Sequence, residues 1–340
     1  MIGFQTISKL EPSVRRRLNI ILVVLAIVML SVILGPRPPI QDQITFDPAS
    51  IGPDPVAYLE QSEARILGIT PGAEKEIVWA NPATRERTRL AFVYIHGFSA
   101  TRRETSPLTE KVAQQFGANV FYTRLNGHGS TGDALTKATM GDWVNDLAEA
   151  IAIGERIGDR IVLIAVSTGG TLATWGIDNE RLMAKIEGMV LISPNYELQG
   201  ASLGLLNMPW GKYVLPTLMG ETRSFEPSNA EHGKWWTTTY PSVAVFPMAA
   251  LMKSTSEKNV TGTLVPAFFI LSPNDKVVKP LPTIEKYNEW GSASGAPKKL
   301  LEVTNSDDPN QHVIAGDILS PSTTDALAGE ISDWIRSLRK

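Results

Sequence analysis

The stretch IVLIAVSTGGT, Ile161 to Thr171, decides how this chain folds. Its first six residues, Ile161 to Val166, are apolar throughout and suit a strand buried on both faces. The run stops at Ser167, and Gly169 and Gly170 lead into a helix-compatible segment, Thr171–Ile177. The order is strand, sharp turn with a serine, then helix. It approximates the pattern G-x-S-x-G, with Ala165 in place of the first glycine. Such a turn lifts a hydroxyl out of the sheet and sets it at a helix N-terminus. There, backbone N–H groups and the helix dipole can stabilise an oxyanion. A serine before two glycines can also be a simple helix cap, so the partners of the hydroxyl carry the argument.

Working outward, short apolar runs alternate with helical patterns from about Tyr58 onward. Ile77–Ala80, Leu90–Ile95, Asn119–Leu125, Met189–Ile192, Ala267–Leu271 and Leu300–Val303 read as further strands. Leu108–Phe116, Trp143–Ile157, Thr171–Asn179, Thr283–Trp290 and Ala326–Leu338 read as helices. Strand–helix alternation with continuously apolar strands predicts an α/β fold, a mostly parallel twisted sheet with helices on both faces. One interval breaks the rhythm. About seventy residues separate Ile192 from Ala267, where a crossover needs roughly a dozen or more. They carry large apolar side chains such as Leu203, Met208, Trp210, Leu215, Trp236 and Met252. This reads as a helical cap insertion over about 195–262, either packed on the core or lining an apolar substrate pocket.

A serine hydroxyl is a weak nucleophile and needs a histidine base held by a carboxylate. Beyond strand ends the chain offers Ser167, then Asp275 in LSPNDKVV, then His312 in DPNQHVIAG. Catalytic groups of open parallel sheets collect past the carboxyl ends of strands. Asp275 taken alone reads first as a turn residue, and Asp307 and Asp308 compete as the acid, though both stand close to the histidine in sequence. His232 falls in the insertion, and His128 in LNGHGS suits a turn-ordering role. An oxyanion hole needs two donors: the N–H of Thr168, next to the serine, and an N–H from the loop His96-Gly97-Phe98-Ser99, for which Phe98 is the candidate.

Composition narrows the classes. The 340 residues are 43% apolar and 20% charged, which suits one large globular body with appendages. A net charge of −3 gives no footprint for nucleic acid. The chain has no cysteine, which excludes disulfides and thiolate chemistry. Its four histidines stand singly, so no metal site is expected.

The N-terminus differs in kind. Arg15, Arg16 and Arg17 precede an apolar run, Leu18 to Leu34, interrupted only by Asn19 and Ser31. As a helix this run spans about 25 Å, enough for a hydrocarbon core. A cleaved signal peptide and a buried helix are the competing readings, but GPRPPI follows the run and all its faces are apolar. The reading adopted is a signal anchor: a basic cytoplasmic N-terminus over 1–17, a transmembrane segment over 18–35, a proline-rich linker over 36–57 and the globular body over 58–340. Positive charge on the N-terminal side outweighs Arg37 on the other, which predicts the body on the outer face of the membrane.

Together YIHGFSATRRE (Tyr94–Glu104), RLNGHG (Arg124–Gly129), GDWVND (Gly141–Asp146), AVSTGG (Ala165–Gly170), SPNDKVV (Ser272–Val278) and NQHVI (Asn310–Ile314) resemble the α/β-hydrolase superfamily. Within it they look like the monoacylglycerol lipase and serine aminopeptidase-like group, bacterial carboxylesterases included. The resemblance implies Ser167, Asp275 and His312 as a triad and Phe98 and Thr168 as oxyanion donors. It also implies a serine esterase or lipase-like enzyme, for which no cofactor is required; the apolar insertion and the membrane tether together suggest a small ester with an apolar, lipid-like or medium-chain acyl group as its substrate. Ala165 is the departure from the pattern. A serine aminopeptidase or amidase on the same triad, with an acidic pocket from Glu197, Glu221, Glu226 or Glu231, is an alternative. A non-catalytic hydrolase-like binding protein is another.

Overall fold

The computed structural model describes residues 11–338, so the N-terminal end of the basic segment, Lys9 included, lies outside the described residues. The strands are Glu76–Val78 (β1), Thr88–Ile95 (β2), Asn119–Tyr122 (β3), Gly158–Val166 (β4), Ile186–Ile192 (β5), Thr222–Ser224 (β6), Thr239–Pro241 (β7), Ala267–Leu271 (β8) and Lys298–Glu302 (β9). Seven of them form one sheet in the order β1-β3-β2-β4-β5-β8-β9, while β6 and β7 make a separate two-stranded ribbon. Only β1 runs antiparallel to its neighbour in the large sheet.

The helices of two turns or more are Pro12–Leu34 (α1), Pro55–Glu63 (α2), Leu108–Phe116 (α3), Met140–Ile157 (α4), Thr168–Trp175 (α5), Gly211–Met219 (α6), Phe246–Ser256 (α7), Pro280–Glu289 (α8) and Pro321–Ser337 (α9). Helices α3, α4, α5 and α8 connect successive parallel strands, as parallel pairing requires. The strand period of two sorts the core into halves. Val93, Leu163, Leu191 and Phe269 share one cluster with Trp143, Leu147 and Ile151 of α4, Phe269 packing on Tyr287 of α8 and on Trp290. Their neighbours Phe92, Val162, Val190 and Phe268 face Val112 of α3 and Ile331 and Ile335 of α9. A slip of one residue would exchange these faces, so the register is strongly specified.

Local chemistry sets the helix ends near the site. Thr139 and Asp142 form a reciprocal capping box at the start of α4. The next residue in, Trp143, is fully buried and donates its indole N–H to Asn126 O at 3.0 Å, tying α4 to the RLNGHG loop. α3 ends on Gly117 in the left-handed conformation.

Between β5 and β8 the chain makes α6, the β6–β7 ribbon, α7 and three shorter helical turns, Leu203–Leu206, Ala230–Trp235 and Ser242–Val245. α7 packs on the core: Met248, Leu251 and Met252 are buried there, and Trp175 of α5 bonds Ser254 Oγ at 3.2 Å. α6 and its surroundings instead carry exposed apolar side chains. At the other end of the chain, α1 has no buried residue. Beyond it, Thr45 and Phe46 donate their N–H groups to Asn145 Oδ1, and Arg156 reaches Gly52 O, so residues 45–52 run along α4.

Candidate active site

The serine turn is strained in the way its geometry demands. Ser167 follows β4 with φ +50° and ψ −117°, a region that non-glycine residues rarely adopt. The turn is held by Ser167 N–H to Ile192 O at 2.9 Å and Asn195 N–H to Ser167 O at 3.1 Å. A Cβ on Gly169 would lie 2.3 Å from Ile95 O, so only glycine lets α5 approach β2 this closely. The methyl of Ala165 is absorbed in the core cluster that holds Leu172 and Ala173.

The structure brings Ser167, His312 and Asp275 into one chain of hydrogen bonds. His312 Nδ1 lies 2.7 Å from Asp275 Oδ2, and its Nε2 lies 3.0 Å from Ser167 Oγ. A carboxylate only accepts, so Nδ1 carries the proton, Nε2 is the acceptor, and Ser167 Oγ–H donates to it. All three residues are buried. Burial alone would lower the His312 pKa, but the hydrogen bond and charge of Asp275, with Glu104 and Asp308 behind it, raise it above its ordinary value.

Asp275 is both a turn residue and the histidine partner. Its Oδ1 accepts Val277 N–H at 2.7 Å and Val278 N–H at 2.9 Å, leaving Oδ2 for the imidazole. Asp308, the competing acid, shapes the histidine loop instead. It accepts the N–H groups of Asn310, His312 and Val313 at 3.0, 2.9 and 2.9 Å and does not touch the ring. Asp307 accepts Ser322 N–H at the start of α9. His128 packs its ring on His96, Phe98 and Trp143 and contacts Asn126 O, and His232 accepts Ser228 N–H within the insertion.

The loop after β2 passes close to the serine: a Cβ on Gly97 would lie 3.0 Å from Ser167 Cβ. His96 Nε2 accepts Leu125 N–H at 3.0 Å, so its Nδ1–H donates to Gly97 O at 2.8 Å. Burial, opposed by the Gly97 bond and assisted by the Arg124 charge, lowers the His96 pKa to about 4 and keeps the ring neutral. In a planar trans peptide the N–H points opposite the C=O, so holding Gly97 O sets the direction of Phe98 N–H. The Phe98 ring is wedged edge-on against His128, Trp143 and Tyr240 of β7. Thr168 opens α5, with its N–H in the first helical turn.

Two features escape a reading of the sequence. Glu104 is buried, and its Oε2 accepts Gly97 N–H at 2.7 Å, with Tyr94 OH at 3.4 Å. Burial pushes its pKa up to about 7, against the pull of the Gly97 N–H and the His312 charge. His96 and Glu104 therefore clamp the two peptide groups on either side of Gly97. Further out, Glu63 makes a two-pronged ion pair with Arg124 at 2.8 Å per prong, and Arg124 also donates to His128 O. Lys75 bonds Glu149 and lies 3.6 Å from Asp146, whose Oδ2 accepts Asn126 N–H. A buried charged network thus ties the segment before β1 to the RLNGHG loop. A lone charge in a polar segment gives no sign in sequence that it will be buried.

Sheet order, the strained serine after β4 and the insertion after β5 define an α/β hydrolase. Comparison with known proteins agrees. The profile of the family described as serine aminopeptidase S33 matches residues 86–301, and the chain belongs to that family. The thermostable monoacylglycerol lipase of Bacillus sp. (strain H-257) is 26% identical over 201 residues, covering 59% of this chain and 76% of that one. A solved structure from work on the metagenome-derived lipolytic enzymes LipS and LipT superposes with a TM-score of 0.63 at 23% identity, over 79% of this chain and 99% of the other. The Paleococcus ferrophilus monoacylglycerol lipase gives 0.56 at 14% identity, over 78% and 98%. At these identities the two structures speak for the fold. The enzyme is a serine hydrolase of the lipase and esterase type.

Proposed function

We propose that the protein is a membrane-anchored carboxylic ester hydrolase, with Ser167 as nucleophile, His312 as base, Asp275 as its orienting acid, and the N–H groups of Phe98 and Thr168 as oxyanion donors. The observation that carries this reading is the unbroken chain Ser167 Oγ, His312 Nε2, His312 Nδ1, Asp275 Oδ2, at 3.0 and 2.7 Å. His312 takes the hydroxyl proton as Ser167 Oγ attacks the acyl carbon. The carbonyl oxygen becomes an oxyanion between the two amides. The carbon–oxygen bond to the alcohol then breaks, and His312 returns the proton to that alcohol. Water, deprotonated by the same ring, attacks the acyl-enzyme, and the acid leaves.

The ester preference is supported by the relative of lipase kind and by the state of the insertion's carboxylates. Glu197 is paired with Lys279 at 2.6 Å, and Glu231 accepts the Trp235 indole N–H at the surface. Glu221 and Glu226 are exposed, so none of the four is a buried, unpaired anion suited to a substrate ammonium. The apolar insertion supports an apolar acyl group. The anchor is α1, a 23-residue helix with no buried residue, in which an 18-residue window reaches a mean hydropathy of 2.7. The arginines at its start support a cytoplasmic N-terminus and a catalytic body on the outer side.

A fluorophosphonate probe should label the wild type and leave Ser167→Ala unlabelled. Medium-chain p-nitrophenyl esters should be hydrolysed and aminoacyl anilides left intact. Labelling that survives Ser167→Ala, or anilides cleaved in preference to esters, would overturn the reading.

A further inference from the structure

We propose that α6 and the turn before it form a bilayer-docking face, clasped by Trp210 to the end of α1, so that the insertion rests on the membrane α1 crosses. The proposal rests on the reading of α1 as an anchor, and its test separates the two.

α6 is two-sided. Leu215 points inward, into a small cluster with Leu206, Phe246 and Ala249. On the outer side Trp210, Tyr213, Val214 and Leu218 are 41, 63, 39 and 74% exposed. Positions 214 and 218 are four residues apart and so follow one line along the helix, with Tyr213 beside it and Trp210 in the turn just before. Single exposed apolar residues are ordinary, but a continuous stripe marks an interaction surface.

The clasp decides which surface it meets. Trp210 donates its backbone N–H to Pro36 O at 2.8 Å and its indole N–H to Ser31 O at 2.9 Å. Its φ of +63° is unusual for so large a side chain, and the turn it makes aims the indole at α1. Gly35 permits the approach, because a Cβ there would lie 2.3 Å from Trp210 Nε1. Ser31 stands three residues before the end of α1 at Leu34, about 4.5 Å along its axis. Trp210 is therefore held where the apolar run gives way to the polar chain. That is the depth at which tryptophan is enriched in membrane proteins. The stripe begins at the same level, as an amphipathic helix seated in the headgroup boundary would. A second protein would have to share this narrow zone with the lipid already surrounding α1, so the bilayer is the occupant the geometry favours.

Because the chain has no cysteine, single cysteines can be introduced into the full-length enzyme without background. Ile27→Cys in α1, Leu218→Cys in α6 and Leu264→Cys, 77% exposed in the loop before β8, would each carry a polarity-sensitive fluorophore in phosphatidylcholine nanodiscs. The labels at 27 and 218 should be blue-shifted and quenched by nitroxide lipids, and the label at 264 should report water. Lipid at 27 with water at 218 overturns the docking and leaves the anchor standing; water at both overturns both. A shift at 218 that lipid nitroxides do not quench points to a second protein copy and also overturns the proposal. For function, Leu218→Asp and Gly35→Val should raise KM for an ester dissolved in the bilayer about tenfold, the scale of exposing one buried leucine. They should leave turnover of a water-soluble short-chain ester unchanged. If the two substrates suffer equally, the face acts through folding alone and the docking is refuted. If the soluble ester is not hydrolysed even by wild type, the ester reading fails while the fluorescence still decides the docking.

Discussion

The loops of the proposed triad and the outer half of the insertion are built on opposite terms. Ser167, Asp275 and His312 are buried, and each of their side-chain polar atoms has a hydrogen-bond partner. Asp308 alone gathers three N–H groups to shape the histidine loop. α6 is the reverse, a short helix with Pro216 inside it, one side on a small cluster and the other apolar side in the open. Chemistry needs reacting atoms held to a few tenths of an ångström, which rewards burial with every hydrogen bond made. A surface that meets lipid needs apolar area left uncovered. The two demands are incompatible in one segment, and on the readings proposed above they fall to different ones.

The contrast is broken most severely at its buried end. Ser167→Ala should reduce kcat on a soluble ester by about 10⁶-fold and abolish probe labelling. Asp275→Asn is the sharper test. The amide oxygen can still accept the Val277 and Val278 N–H groups, so the loop should stand. The amide NH₂ cannot accept from His312 Nδ1, and the productive tautomer is lost. A fall of about 10⁴-fold in kcat with a melting temperature within about 3 °C of wild type is expected. A fall in both would mean that the carboxylate acts mainly by holding the turn.

A third substitution probes how far the rigidity extends. Glu63→Ala would leave Arg124 buried without its partner, and losing one member of a buried pair costs about 3–5 kcal/mol, readable by urea unfolding. The sign with pH follows from Glu63. Burial raises its pKa, but the Arg124 bonds and charge outweigh this and bring it below the usual carboxylate range. Its contribution is therefore full above the unfolded value of about 4.3 and is lost as pH falls through the lower folded value. Wild type and Glu63→Ala should converge in stability at strongly acid pH.

How much of this was legible depended on whether a residue's partners lie nearby in sequence or across the fold. The strands announced themselves because a run buried on both faces must be apolar, and Ala267–Leu271 and the helix Leu108–Phe116 fall where the pattern placed them. Ser167, Asp275 and His312 could be named together because strand ends collect at one edge of a parallel sheet. α2 went unread because its start is set by a single Asp54 cap and little of it is buried. α6 went unread because Pro216 obscures a nine-residue helix. Glu104 and Lys75 were illegible for a different reason: a charged residue in a loop is normally solvated, and only the assembled sheet reveals them as buried.

The smallest effect comes from Glu104 and tests whether the buried end is tuned as well as held. Glu104 faces Gly97 N–H, Tyr94 OH and, across the loop, the charge of His312, and it ionises at about pH 7. Its negative charge raises the His312 pKa, and His312, as the proposed base, must be neutral to accept the serine proton. In Glu104→Gln the side-chain oxygen can still accept the Gly97 N–H, so the oxyanion loop keeps its shape and kcat well above neutrality should change by less than about tenfold. The charge is gone, so the acid limb of kcat/KM should move to lower pH by up to about one unit. Glu104→Ala removes both bond and charge, and it should lower kcat across the whole range as well as moving the limb. If the limb stays in place in both variants, the glutamate serves the loop alone and His312 is set by Asp275 and Asp308.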